Sequence, residues 1–148
     1  MYVAAHGWDH AAWSGSFYPA DLPPEWRLSY YANEFRAVVV PAAVWQQANE
    51  ANAMQWRADT TAGFSMLLAA AKTPPEPRLL TALGDRFAGM VGDGGLAQAS
   101  WTGGADARAI RAAIESLAEP GVLLVDGKPP SIEALRTAQI LAQLLGRG

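Results

Sequence analysis

The fold of this chain is decided by the stretch Trp13-Ser14-Gly15-Ser16-Phe17-Tyr18-Pro19 and by the apolar pattern that follows it. Apolar residues recur at helical spacing up to Phe35, and Pro24 is well placed to begin a helix, so we expect a helix over residues 25–35. Aromatic side chains bring large contact surfaces to a core. We therefore expect one cluster packed against this helix, near Trp26 or Tyr31, that contains Trp13, Phe17, Tyr18 and Leu22.

Strand-like and helical patterns alternate along the rest of the chain. Five short apolar runs have the length and residue types of buried strands, at residues 2–5, 37–40, 64–71, 96–101 and 121–125. Helical patterns fall between them, at about 50–57, 78–90 and 107–117, and a last one follows Ser131. Such alternation is typical of a mainly parallel sheet with helices outside it. We expect a single α/β domain over residues 1–148.

Gly7-Trp8 comes shortly before the stretch from Trp13 to Phe35. Together these two segments resemble the opening of the YecE-like family, an uncharacterised group of TIM-barrel proteins. The similarity is specific up to about Phe35 and weaker through the rest of the N-terminal units, residues 1–72. The C-terminal units, residues 96–148, are a softer match. Family members have eight strand-helix units, and this chain shows about five. The resemblance implies a shortened TIM-barrel-like arrangement joined near Gly92; a flavodoxin-like open parallel sheet is the alternative.

A shortened barrel raises the question of what covers its sheet. About five strands cannot close an eight-stranded barrel, because barrel diameter and strand number are linked. The sheet would then expose two edges and an apolar face, which we expect to carry Val38, Val40, Leu67, Val122 and Leu124. Two copies that face each other would cover both, so we expect a homodimer with an extensive apolar interface.

The departures from the family pattern bear on function. The resemblance implies polar residues at the ends of the second and third strands, and the aligned positions here hold Val39, Pro41 and Ala69. None of these can move a proton, bind a metal or stabilise charge, although strand ends hold the reactive groups of TIM barrels. We therefore expect a non-catalytic remnant that acts by self-association or by binding a partner or a small ligand, with no cofactor.

One cluster of possible metal ligands supports an alternative, a metal-dependent enzyme. His6, Asp9 and His10 follow the first strand, and imidazole with carboxylate suits zinc or iron. A further ligand would have to come from elsewhere, and Asp126, at the end of the last strand, is the best placed. A loop whose histidine packs against Trp8 or Trp13 is the structural alternative.

A small ligand could also bind at the strand ends without any metal. Thr102 and Gly103 stand at a strand-to-helix junction, where backbone N–H groups can meet an anion. The same loop also fits a plain turn in which Asp106 caps the next helix. The expected set of ligand-binding residues is His6, Trp8, Trp45, Thr102, Gly103 and Asp126.

Composition narrows the function classes. A net charge of −3 with scattered basic residues gives no footprint for nucleic acid. No apolar segment reaches the roughly 18–20 residues of a membrane span. Zero cysteines exclude disulfides and thiolate metal sites, and together with the lack of a signal-peptide pattern they favour the cytoplasm.

Overall fold

The computed structural model describes all residues from Met1 to Gly148 and contains one sheet of six parallel strands. The order across the sheet is β4-β3-β2-β1-β6-β5, and every neighbouring pair is parallel. The sheet curls into a half-barrel, which confirms the α/β class and fits both predicted alternatives, a shortened TIM-like arrangement and an open parallel sheet. The strands are β1 Tyr2–His6, β2 Ala37–Val40, β3 Ser65–Ala69, β4 Phe87–Val91, β5 Ala97–Trp101 and β6 Gly121–Val125.

Six α-helices pack against the convex side of the sheet, and short 3₁₀ turns begin at Ala11, Pro24 and Gly84. Side chains cap three of the helices: Asn49 begins α3, Asp106 begins α5 and Ser131 begins α6. No helix is both long and apolar enough to cross a membrane. The helices are α1 Arg27–Glu34, α2 Ala42–Gln47, α3 Glu50–Ala58, α4 Pro77–Leu83, α5 Ala107–Ser116 and α6 Ile132–Leu144.

The strand count corrects the expectation of about five units. The helix predicted over residues 78–90 ends at Leu83, where Gly84 adopts a φ of +59° that favours glycine. The residues that follow form β4, which pairs with β3. The short helix α2 after Pro41 was also missed. Both errors concern short segments whose structure depends on tertiary pairing more than on local pattern.

The two edge strands of the sheet meet at one point. β4 and β5 are joined by residues 92–96 only, and Val91 and Leu96 form an isolated parallel bridge. The Leu96 N–H donates to the Met90 carbonyl at 2.9 Å. A Cβ on Gly95 would lie 2.4 Å from the same carbonyl oxygen, so only glycine fits there. This tight turn brings the sheet edges together and makes the sheet curl.

Curling buries the concave face within a single chain. Seven buried residues form this inner layer: Ala4, Ala37, Val39, Leu67, Val91, Val122 and Leu124. Val38 and Val40 belong instead to the larger layer between sheet and helices, so their predicted place on the barrel interior is wrong. The expectation that a second copy must cover the concave face is wrong as well, because the residues named for it are buried in one chain.

The predicted aromatic cluster is confirmed, with Tyr31 rather than Trp26 as its helical partner. The Trp13 ring stacks on Tyr31 and meets Phe17 and Tyr18 edge-on, with centroids 5.6–6.3 Å apart. Trp13 is 2% exposed, and its indole N–H donates to the Pro130 carbonyl at 3.0 Å. The cluster therefore ties the N-terminal loop to the loop between β6 and α6.

Trp13→Ala should lower the free energy of unfolding by about 3–5 kcal/mol, since it empties a buried aromatic site and orphans a buried carbonyl. Trp26→Ala is the matched control, because Trp26 is 63% exposed and should cost well under about 1 kcal/mol. Urea denaturation followed by circular dichroism measures both. Equal effects of the two substitutions would contradict the assigned packing.

Candidate functional site

The carboxyl ends of the six strands form one rim of the curled sheet, where barrel folds place their reactive groups. His6 ends β1, and Asp126 directly follows β6, the neighbouring strand. His6 Nδ1 lies 3.4 Å from Asp126 Oδ1, and the two side chains are 35% and 42% exposed. The structure therefore brings together two of the predicted site residues, and a ligand could reach both.

Asp126 is held firmly by backbone contacts. Its N–H donates to the Trp101 carbonyl at 2.8 Å, and its Oδ1 accepts a hydrogen bond from the Gly127 N–H at 2.8 Å. Because Nδ1 of His6 faces this carboxylate, Nε2 is the ring nitrogen left for a ligand. Such a pair can accept or donate a proton, or bind a polar group of a ligand.

The other two predicted metal ligands are engaged elsewhere. Asp9 accepts a hydrogen bond from the Arg27 guanidinium at 2.5 Å. His10 donates from Nε2 to the His6 carbonyl at 3.0 Å, and its ring lies 4.5 Å from the Trp13 ring. The structure has no place where three or more His, Asp or Glu side chains could hold one ion. His6, Asp9 and His10 are thus neighbours that do not converge on a common point.

Trp8 and Trp45, which were predicted to bind a ligand, are both packing residues. Trp8 is buried, meets the Trp56 ring edge-on at 5.4 Å, and accepts a hydrogen bond on its carbonyl from the Tyr18 hydroxyl at 2.5 Å. Burial raises the pKa of Tyr18 well above its usual value, so this donor keeps its proton. Trp45 is buried and donates its indole N–H to the Ala69 carbonyl at 2.9 Å, which fixes α2 to the end of β3.

The Thr102–Gly103 loop lies at the end of β5, and Trp45 lies beyond β2, so β1 and β6 separate them on the rim. The Trp101 indole N–H donates to the Gly104 carbonyl at 3.0 Å, and Asp106 accepts from the Ala109 N–H as the cap of α5. The loop is therefore a turn in which Asp106 caps the next helix, which was the predicted alternative to an anion-binding loop. The six predicted residues share the rim but no single cavity.

One cleft does lie beside the rim, and it contains His6 and Trp8. Its volume is about 410 Å³, and it opens between the β1 loop, the 3₁₀ turn that begins at Pro24, and helices α2 and α3. Apolar groups and carboxylates line it together. The apolar lining includes Trp8, Val44 and Trp56, and the carboxylates are Asp9, Glu25 and Asp59.

Sequence reasoning missed the face of α3 that borders this cleft. Four of its lining residues, Asn52, Gln55, Trp56 and Asp59, stand at i, i+3, i+4 and i+7 and therefore on one side of the helix. The spacing was visible in the sequence as a polar stripe around a tryptophan. The same spacing is typical of an ordinary solvated helix face, and only the packing of α3 in the structure places it beside His6.

The interior wall is apolar where the family resemblance implies polar groups. Val39 is fully buried against the inner layer, and Ala69 packs against the same layer. Within the six strands, His6 is the only histidine, and no strand contains an aspartate, glutamate, lysine or arginine. The ionisable groups of the site thus lie at the rim and in the cleft.

Comparison with known proteins gives one match. The family model described as "Protein of unknown function DUF72" matches residues 2–73, just under half of the chain. YecE-like proteins belong to this family, so the resemblance is confirmed over the N-terminal units. No curated protein and no solved structure matches the chain.

Asp126→Asn should change the free energy of unfolding by less than about 1 kcal/mol, because the His6–Asp126 pair is partly exposed and such pairs contribute little. Urea denaturation at pH 7 measures the change. A loss above about 2 kcal/mol would show that the pair holds β1 to β6, and it would argue against a site open to ligands.

Proposed function

Since residues 2–73 belong to the DUF72 family, whose description assigns no function, we propose from the site itself that this chain is a non-catalytic binding protein. We propose that it is a shortened YecE-like barrel, that it binds a small ligand in the cleft beside His6, and that it works as a homodimer. The cleft with its mixed apolar and polar lining is the observation that carries this proposal.

The engagement of the ionisable groups with one another supports binding over catalysis. General acid–base chemistry usually needs two groups placed on either side of a reacting bond. His6 and Asp126 contact each other, and two carboxylates of the cleft are also engaged, Asp9 with Arg27 and Asp59 with Gln55. The inner layer next to them adds only apolar groups such as Val39 and Leu67, which cannot exchange protons.

The lining of the cleft supports the binding of an organic molecule. Trp8 and Trp56 offer ring surface, and the Asn52 and Gln55 side chains, on the same side of α3 as Trp56, offer amide groups. A few polar groups set among aromatic surface are what small-molecule sites generally show. The carboxylates Asp9, Glu25 and Asp59 would favour ligands that donate hydrogen bonds.

A second candidate function is the metal-dependent enzyme. The 3.4 Å approach of His6 to Asp126 favours it, because imidazole and carboxylate could share one divalent ion with solvent molecules. Only two of the four predicted ligands lie together, so we rank this function second.

Filling the cleft should abolish ligand binding and leave the fold intact. Val44 lines the cleft and is exposed on α2, so Val44→Trp adds volume there without disturbing the core. Met54→Trp on the exposed side of α3 is the matched control. We expect a fragment library observed by ligand NMR to give hits with the unmodified protein and with Met54→Trp, and to lose them with Val44→Trp.

Two results would contradict the proposal. Fragments that bind Val44→Trp as well as they bind the unmodified protein would place the ligand elsewhere. Turnover of ester, phosphate or glycoside probes that requires added zinc and disappears in His6→Ala would establish the enzyme instead.

A further inference from the structure

The outer edge of β5 carries unpaired backbone groups. β5 pairs with β6 along its whole length, and the Trp101 carbonyl accepts from the Asp126 N–H, so Ala97, Ala99 and Trp101 face β6. The backbone groups of Gln98 and Ser100 must then face away from β6. Neither residue has a backbone partner on that side, and both are exposed. Two N–H and two C=O groups are therefore open to another strand.

This edge has none of the features that usually protect a sheet. Natural proteins block exposed edge strands with charges, prolines or bulges, or cover them with another element. The segment from Leu96 to Trp101 contains neither a charged residue nor a proline. The opposite edge differs, because β4 is kinked at Gly89, with a φ of +138°, and its Met90 carbonyl is already bonded to Leu96. β5 is thus the edge that is free to pair.

We propose that β5 pairs with β5 of a second copy, antiparallel, across a two-fold axis at Ala99. The proposal rests on the homodimer proposed above and names its interface. Antiparallel strands exchange two hydrogen bonds at every second residue pair. Gln98 would pair with Ser100 of the partner subunit, and Ser100 with the partner's Gln98. All four open groups would be satisfied in one continuous sheet of both copies.

The side chains of β5 are compatible with this register. Trp101, which is partly exposed, would lie opposite the partner's Ala97, so a large ring meets a small side chain. The two Ala99 residues would meet on the axis, and no charged side chains of the strand would be brought together. Pairing a strand with itself closes the assembly at two copies, whereas pairing β5 with β4 of another copy would extend without limit.

Ser100→Pro tests the interface, because it removes an N–H group that the interface would use. The Ser100 N–H donates no hydrogen bond within the chain, and proline is tolerated at such edge positions. Ser100→Ala keeps the N–H and is the matched control. By light scattering we expect the unmodified protein and Ser100→Ala at twice 15.7 kDa, and Ser100→Pro at 15.7 kDa with the circular dichroism spectrum of the folded protein.

The outcomes separate the interface from the dimer itself. A folded Ser100→Pro that remains dimeric would overturn the β5 interface and leave the homodimer standing. An unmodified protein that is monomeric at all concentrations would overturn both, and the cleft would be unaffected.

Amide hydrogen exchange provides a second test that needs no substitution. The Gln98 and Ser100 amides should be protected in concentrated solution and lose that protection on dilution. The Ala99 amide faces β6 and should stay protected throughout, as an internal control. Unprotected Gln98 and Ser100 amides in concentrated solution would overturn the proposal, even if Ser100→Pro fails to fold.

Discussion

The tight connection between β4 and β5 is the constraint on which the rest of this structure depends. These strands are the two edges of one six-stranded sheet, and residues 92–96 alone join them. A flat sheet would hold its edges about five strand spacings apart, or roughly 24 Å, whereas five residues reach at most about 18 Å when fully stretched. The turn is folded back on itself at Gly95 instead, so the sheet must curl until its edges touch.

Curling decides what kind of site the chain can offer. The concave face becomes a small apolar core of residues such as Ala4, Val39 and Leu67, with no carboxylate, histidine or basic side chain in it. Polar chemistry is left to the rim, where His6 meets Asp126, and to the cleft next to it. Both places are accessible to solvent, and the binding function that we propose would use them.

The sequence predicted the elements whose local signals were strong. β2 and β6 have the predicted bounds, because runs of buried aliphatic residues are flanked there by Pro41 and by an Asp-Gly turn. β4 was mistaken for the end of a helix, because its residues include Gly89 and lack a strand pattern until β3 pairs with them. The contact of His6 with Asp126 followed from topology alone, since both stand at ends of parallel strands. The cleft could not be predicted, because it depends on how α3 is turned about its axis.

The measurement that tests this account most directly is the stability of Gly95→Ala against Gly104→Ala. A Cβ on Gly95 collides with the Met90 carbonyl, whereas a Cβ on Gly104 meets no atom within 4 Å. If the turn holds the sheet closed, Gly95→Ala should lose more than about 2 kcal/mol of unfolding free energy and bind a hydrophobic dye through its opened interior, while Gly104→Ala behaves like the unmodified protein. A Gly95→Ala protein that is as stable as the unmodified one and binds no dye would contradict the claim that this turn holds the sheet closed.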